Sequence, residues 1–350
     1  MRYVFTDYDE FADAISGLDG RYIPTARSRH QWWIDPARVG RLRLQQLQVG
    51  APAAFAGDGE ESEPGLTVGI PLTDPAEIRI DGHSLAEDSF ILIRQDRPLT
   101  YSAQGITRWA GVTVPTNVFE HARFKDAAEW SAAMLSETRV RANSSALRRV
   151  SLLVALLCAG EDSINIFNPA AIAAAEEEFL VAVSELLQVS TCFPEQRVGR
   201  KPLARDRIIA RCLEFLSENH GGPILVGDLC RAADVTERTL RNVFNEYFGV
   251  GPIRFLRARQ LQEIRSALLT QNSANETISQ VAARFGVWDF NLFSRNYRAL
   301  YGESPSQTLR NGRSGRPQPA MNEDLESMRS WMRYANARFA GIADTGGESP

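Results

Sequence analysis

The side chains with the clearest chemistry are arginines and asparagines spaced along two short amphipathic segments. In Glu237–Phe248 (ERTLRNVFNEYF) the apolar residues Leu240, Val243, Phe244, Tyr247 and Phe248 recur at three- and four-residue spacing. At about 100° per residue, Arg238, Arg241, Asn242 and Asn245 fall on the opposite side. In the second segment Phe293, Tyr297, Leu300 and Tyr301 make the inward stripe, and Asn291, Ser294, Arg295 and Arg298 point outward. Arg presents two N–H donors to guanine O6 and N7, and Asn a donor–acceptor pair to adenine. Such faces can therefore read base edges, with some arginines holding phosphate instead. An Arg on a helix surface is also an ordinary solvated cation, so these faces take their meaning from whatever positions them.

The positioning elements are a repeat. Leu229–Pro252 (LCRAADVTERTLRNVFNEYFGVGP) lies over Val281–Pro305 (VAARFGVWDFNLFSRNYRALYGESP). Leu229 and Cys230 match Val281 and Ala282 at an offset of 52 residues. Leu240, Phe244, Phe248, Gly249 and Pro252 match Phe293, Tyr297, Tyr301, Gly302 and Pro305 at an offset of 53, so one extra residue falls in the turn. Each copy reads as a short helix, a tight turn and an amphipathic helix. In the first copy these are Val226–Ala233, the turn Asp234-Val235-Thr236, and Glu237–Phe248; in the second, Gly286 takes the turn and the last helix runs to Leu300. Thr236 and Asp289 are the expected N-caps, and Glu237 suits the positive end of its helix. Two such units joined by a long basic helix over Pro252–Leu269 predict paired helix-turn-helix elements, whose second helices enter the major groove.

Bulk composition agrees once it is divided. The chain has 350 residues, 44% hydrophobic and 23% charged, with a formal net charge of −4. From Lys201 to Arg313 there are 16 Lys and Arg against 11 Asp and Glu, a net of +5, which leaves −9 for the remainder. A modestly basic segment on an acidic body fits a phosphate-binding module attached to something that does not touch DNA. The four cysteines, Cys158, Cys192, Cys212 and Cys230, stand far apart and read as reduced, buried small hydrophobes. The N-terminus lacks the order of a secretory signal, and the longest apolar run, VSLLVALLCA, is about half a membrane span, so a cytoplasmic protein with no membrane contact is expected.

From Val39 to Pro115 the reading is β. VGRLRLQQLQV, GLTVGIPL, EIRI, SFILIRQD and ITRWAGVTVP are separated by the turn clusters PAAFAGDGEESEPG, DGHS and SAQG, which suggests a small antiparallel barrel or double sheet. After Pro115, Asp126–Val140, Ser145–Ala159 and Pro169–Leu187 carry helical periodicity. VSLLVALLCA is apolar almost all round and reads either as an internal core helix or as a dimer interface. The expected fold class is thus α+β: a strand-rich then helical segment over 1–190, a linker over 191–204, an all-α double helix-turn-helix domain over 205–313, and a tail over 314–350 that is disordered at its end.

The first half offers little chemistry. His30, His83 and His121 lie on separate segments with no H-x-H or H-x-x-E, and there is no Gly-rich phosphate loop or nucleophile elbow. No metal, cofactor or catalytic activity is expected. Trp32, Trp33, Tyr101 and Trp109, with His83 and Arg94 as polar groups, are candidates for a small-molecule pocket, and plain core is the alternative for each aromatic.

Over Arg205–Arg310 the chain resembles the AraC/XylS family of bacterial regulators. DLCRAADVTERTLRNVFNEYFGVGPIRFLRARQLQEIRSALL resembles the first helix-turn-helix and linker helix of that family. ISQVAARFGVWDFNLFSRNYRALYGESPSQ resembles the second, with its aromatic–Ser-Arg–aromatic core at Phe293–Tyr297 and Gly-x-Ser-Pro at Gly302–Pro305. Three residues depart from the family pattern: Cys230 for Ala, Asp234 for Gly, and Trp288 for a small polar residue. The DLC opening, RTLRNVF, GVGP and the Gly286/Trp288 pair lean toward the branch containing the ethanolamine-operon regulator. The resemblance implies a cupin-like N-terminal domain that senses a small molecule and mediates homodimerisation. It also implies transcription activation, with double-stranded DNA and RNA polymerase as partners. Control by a protein partner in place of a metabolite is the alternative.

Overall fold

A computed structural model of the chain describes residues 2–28, 30–58, 65–94, 98–119, 138–158, 168–192, 205–219, 221–269 and 276–313. Met1–Arg313 form one compact unit, and the tail expected over 314–350 lies outside the described residues. So do most of the 191–204 linker, the acidic loop after Asp58, and residues 126–137 of the first helix expected after Pro115.

The chain begins with β1 (Tyr3–Phe5), α1 (Tyr8–Asp13), β2 (Asp19–Pro24), β3 (Trp32–Val39), β4 (Leu42–Val49), β5 (Ala53–Asp58) and β6 (Gly65–Pro71). It continues through β7 (Ile78–Ile80), β8 (His83–Ser84), β9 (Ser89–Ile93), β10 (Leu99–Ala103), β11 (Thr107–Pro115) and α2 (Thr116–Phe119). Next come β12 (Arg139–Arg141), α3 (Ser144–Cys158), α4 (Pro169–Gln188) and β13 (Thr191–Cys192). Among the described residues these strands make two antiparallel sheets, ordered β1-β3-β4-β11-β6-β9-β12-β13 and β2-β5-β10-β7-β8.

The larger sheet is buried on both faces, and strand alternation sorts its side chains. Leu42, Leu44, Leu66, Val68, Phe90, Leu92, Val112 and Val114 face α3 and α4, whose Val150, Val154, Phe179 and Val183 complete that core. Leu47, Val49, Ile91, Ile93 and Trp109 point the other way, onto Tyr22, Phe55, Ile78, Ile80 and Tyr101 of the smaller sheet. The result is a strand-rich double sheet with helices on one side.

Three departures from expectation have physical causes. The small residues Ala53–Gly57, read as part of a turn cluster, form β5 because both faces are covered closely. Phe55 faces the inter-sheet core, while Ala54 lies in a core shared with the helical lobe. Arg139–Arg141, placed at the end of a helix, is instead a strand: Val140 pairs with Phe90 and is fully buried. α3 is not buried on several sides. Leu147, Val150, Val154 and Cys158 face the sheet, but Leu152 and Leu156 are 60% and 59% exposed. The structure also adds β1, α1 and β2, and most of β3, before Val39, where no element was expected.

The helical lobe contains α5 (Arg205–Glu218), α6 (Val226–Ala233), α7 (Glu237–Phe248), α8 (Pro252–Leu269), α9 (Ile278–Arg284), α10 (Phe290–Tyr301) and α11 (Pro305–Arg313). It has two cores. Leu229, Leu240, Phe244, Phe248 and Phe255 centre one; Ile264, Val281, Phe293 and Tyr297 centre the other, and α8 runs through both. The strand-rich lobe holds the back of this assembly. Ser102 Oγ donates to the Tyr247 carbonyl at 2.9 Å and Arg79 to the Glu246 carbonyl at 3.1 Å, both at the C-terminal end of α7. On α8, Gln262 and Ser266 donate to the two carboxylate oxygens of Asp9 at 2.7 and 2.6 Å, and Arg254 donates to the Thr25 carbonyl at 2.9 Å. Tyr8 stacks on Tyr301 with ring centroids 6.0 Å apart.

Candidate nucleic-acid interface

In the first copy, α6 ends on Asp234 in the left-handed conformation (φ 54°), and the Val235 N–H closes back onto the Cys230 carbonyl at 3.0 Å. Thr236 then caps α7, accepting from the Thr239 N–H at 3.3 Å. Leu240, Val243, Phe244, Tyr247 and Phe248 are buried, which rotates Arg238, Arg241, Asn242 and Asn245 into solvent. Gly249 (φ 67°) ends the helix and Pro252 starts the next.

The second copy repeats this pattern with one residue more between the turn and the cap. Gly286 (φ 78°) takes the left-handed position, and the Val287 N–H closes onto the Ala282 carbonyl at 3.0 Å. Asp289 caps α10 by accepting from the Leu292 N–H at 2.9 Å. Gly302 (φ 75°) ends it and Pro305 opens α11. Phe293, Tyr297 and Leu300 are buried, while Asn291, Ser294, Arg295 and Arg298 are exposed. Behind them the Tyr297 hydroxyl and Thr308 Oγ1 are hydrogen-bonded at 2.8 Å.

Several of the lobe's arginines are paired with carboxylates: Arg205 with Glu246, Arg231 with Asp228, Arg259 with Glu263, Arg265 with Glu303 and Arg284 with Glu276. On the outward faces, Arg241 makes an exposed pair with Glu237 one turn earlier, at 2.9 Å. Arg238, Arg295 and Arg298 have no carboxylate partner among the described residues. Each second helix thus presents at least one uncompensated guanidinium beside amide or hydroxyl groups, the set needed to hold phosphate and read base edges.

Residues 229–311 match the helix-turn-helix domain family. A XylDLEGF operon transcriptional activator of Pseudomonas putida is 33% identical over 100 residues, which is 29% of this chain and 31% of that protein. A probable thc operon regulatory protein of Rhodococcus erythropolis is 29% identical over 103 residues, 29% of this chain and 31% of its own. The chain spans about a third of the length of these curated relatives. A crystal structure of a probable AraC family transcriptional regulator from Rhodopseudomonas palustris is 26% identical, covering 31% of this chain and 98% of that one, with a TM-score of 0.28. The helix-turn-helix match extends over both copies of the repeat.

In the strand-rich lobe, Tyr101 and Trp109 line a cavity of about 50 Å³ between the sheets, with Ile15, Ser16, Gln45 and Phe55 among its other walls. The Tyr101 hydroxyl meets Thr107 Oγ1 at 2.6 Å, and burial raises its pKa. Trp32 lies one ring behind, edge-on to Tyr22 at 5.7 Å. Trp33, its neighbour on β3, must face the other way, and there the Arg2 guanidinium covers its ring at 3.9 Å. His83 is exposed on the edge strand β8, its pKa lowered by partial desolvation and by Arg139. Arg94, half-buried just beyond β9, is not part of the cavity wall. Tyr22 and Phe55 escaped sequence reading because β2 and β5 did; Gln45 lies on β4, a strand that was expected, and is buried despite its polar side chain. Among the described residues no group of three His, Cys, Asp or Glu is placed to hold a metal, and no helix is long and apolar enough to cross a membrane.

Proposed function

We propose that the chain is a sequence-specific, DNA-binding transcription regulator of the AraC/XylS type, with residues 205–313 as the DNA reader and 1–190 as a sensor. The observation that carries this is the internal duplication. Two matching helix-turn-helix units share the strut α8, and the uncompensated Arg238, Arg295 and Arg298 stand with Asn242, Asn245 and Asn291 on their outward faces. The two second helices would enter successive major-groove segments, spaced by about one helical turn of DNA. Activation, with RNA polymerase as a further partner, is supported by the names of the curated relatives. The leaning toward the ethanolamine-operon branch rests on the DLC opening, the RTLRNVF and GVGP segments and the Gly286/Trp288 pair. The exposed pair Leu152 and Leu156, one turn apart on α3, supports a homodimer formed through that helix.

Small-molecule control has a structural route. The cavity as it stands is far below the roughly 300–1,000 Å³ of ligand pockets, so a ligand must displace a wall. One wall, Ile15 and Ser16, directly follows α1, whose Asp9 holds Gln262 and Ser266 of α8. Another is β10: Tyr101 faces the cavity, and the next residue, Ser102, holds the end of α7. A ligand that moves either wall biases the spacing of the two readers.

Binding-site selection from randomised duplex DNA with the full chain, followed by footprinting, tests the reader. A motif with two protected major-groove segments on one DNA face is expected; enrichment of no motif refutes it. A thermal-shift screen against metabolites tests the sensor. No stabilising compound, together with a co-purifying protein, would favour the partner-controlled alternative.

A further inference from the structure

The two helix-turn-helix copies act as controls for each other, and they differ most at their leading edge. Their turn bonds superimpose at an offset of 52 (Asp234 on Gly286, Val235 on Val287), whereas their caps, Thr236 and Asp289, superimpose at 53. The extra residue in the second copy is therefore Trp288, inserted between the closed turn and the cap. Its side chain is 77% exposed. In the first turn of α10, Phe290 and Leu292 are also exposed, 38% and 39%, where the first copy carries Glu237 and Thr239. The fold does not require these apolar groups, because the first copy makes the same turn, cap and buried stripe without them. A residue just before an N-cap commonly packs onto the helix's fourth residue. Here that residue is Phe293, which is buried while Trp288 stays exposed.

The occupant follows from what surrounds the patch. It is continuous with Asn291, and the uncompensated Arg295 and Arg298 stand behind it on the same helix. The N-terminal end of a second helix is the part that meets base edges. In the major groove the one apolar feature on a base edge is the C5-methyl of thymine. Resting on the reading of this lobe as a two-headed DNA reader, we propose that Trp288, with Phe290 and Leu292 beside it, is a specificity-determining residue that recognises a thymine methyl in the half-site read by α10. The half-site read by α7 lacks that requirement.

The test uses the full chain and randomised duplex DNA, selected in parallel by wild type and Trp288→Ala. Wild type is expected to enrich a motif with a fixed T·A pair at one end, and Trp288→Ala to lose that pair while keeping the rest. Uracil in place of that thymine removes only the methyl. It should weaken wild-type binding about three- to five-fold, the effect of one buried methyl, and leave Trp288→Ala unchanged. The uracil comparison needs no variant, so it stands even if Trp288→Ala behaves poorly. If both proteins select the same motif, or if uracil has no effect at any thymine, the proposal is overturned; a patch used to dock another protein would give that result. If wild type selects no motif at all, the two-headed reader is refuted, and Trp288's role falls with it.

Discussion

Replacing Arg238 and Arg295 separately by Ala isolates the outward faces more cleanly than any other change. Both side chains are exposed and neither has a carboxylate partner among the described residues, so the folded protein loses no ion pair. Ala is at least as good a helix former as Arg, and stability should stay within about 0.5 kcal/mol. Any loss in binding is then a loss of contact with DNA. A bidentate contact to guanine is worth roughly 1–3 kcal/mol, a 5- to 150-fold weakening on the selected site with little change on random DNA. A phosphate contact would instead weaken both, and lower the slope of log K against log salt by about 0.9. Arg241 is the internal comparison. It must first leave Glu237, a pair worth about 0.3–0.5 kcal/mol on a helix surface, so Arg241→Ala should cost less than either of the others. Fluorescence anisotropy titrations of the full chain at about 50 to 200 mM salt measure both quantities. Unchanged affinity and unchanged slope in both Arg238→Ala and Arg295→Ala would remove these faces from the interface.

Three further outcomes follow from packing and burial. Phe244 is fully buried, edge-on to Phe248 at 5.3 Å and to Phe255 at 5.4 Å, so Phe244→Ala should cost about 3–5 kcal/mol in denaturant unfolding of the helical lobe. Asp234 holds φ 54°, where its second-copy equivalent is Gly286; Asp234→Gly should stabilise by about 0.5–1 kcal/mol and Asp234→Val destabilise by about 1–2, read from unfolding midpoints. Burial pushes the Cys158 and Cys212 thiols up to about 12, so at pH 8 the native protein should leave both unalkylated by iodoacetamide in peptide-level mass spectrometry, with labelling only on unfolding.

The helical lobe was legible because its constraints are local. A cap, a left-handed turn residue, a buried stripe at helical spacing and a closing Gly each leave a mark within a dozen residues, and here each leaves it twice. The bounds Val226–Ala233, Glu237–Phe248 and Pro252–Leu269 follow from those marks. The strand-rich lobe gives weaker marks because its larger sheet is covered on both faces, which erases the polar half of the alternation. β5 is harder still. Ala53, Ala54, Ala56 and Gly57 have little strand preference, and they are small because β2, β10 and the helical lobe all approach closely. That requirement comes from elements distant in sequence, so no local pattern could carry it. Trp32 and Trp33 illustrate the same limit: adjacent on one strand, only one could face the inter-sheet core, and periodicity alone does not say which.

α8 shows why a charge count misleads about DNA. Its four arginines, Arg254, Arg257, Arg259 and Arg265, make it read as a basic linker. Yet Arg254 is held by the Thr25 carbonyl, Arg259 by Glu263 and the Leu216 carbonyl, and Arg265 by Glu303 and the Thr6 carbonyl. Most of the positive charge on this helix thus ties the two lobes and the two cores together, and cannot also meet phosphate while those bonds last. The salt dependence of DNA binding should accordingly follow the uncompensated cations on α7 and α10, and not the net charge of the lobe. The same argument separates the roles of the two helix types. Mutating α8 arginines should change stability and the coupling between lobes, whereas mutating outward arginines of α7 and α10 should change affinity and sequence preference alone.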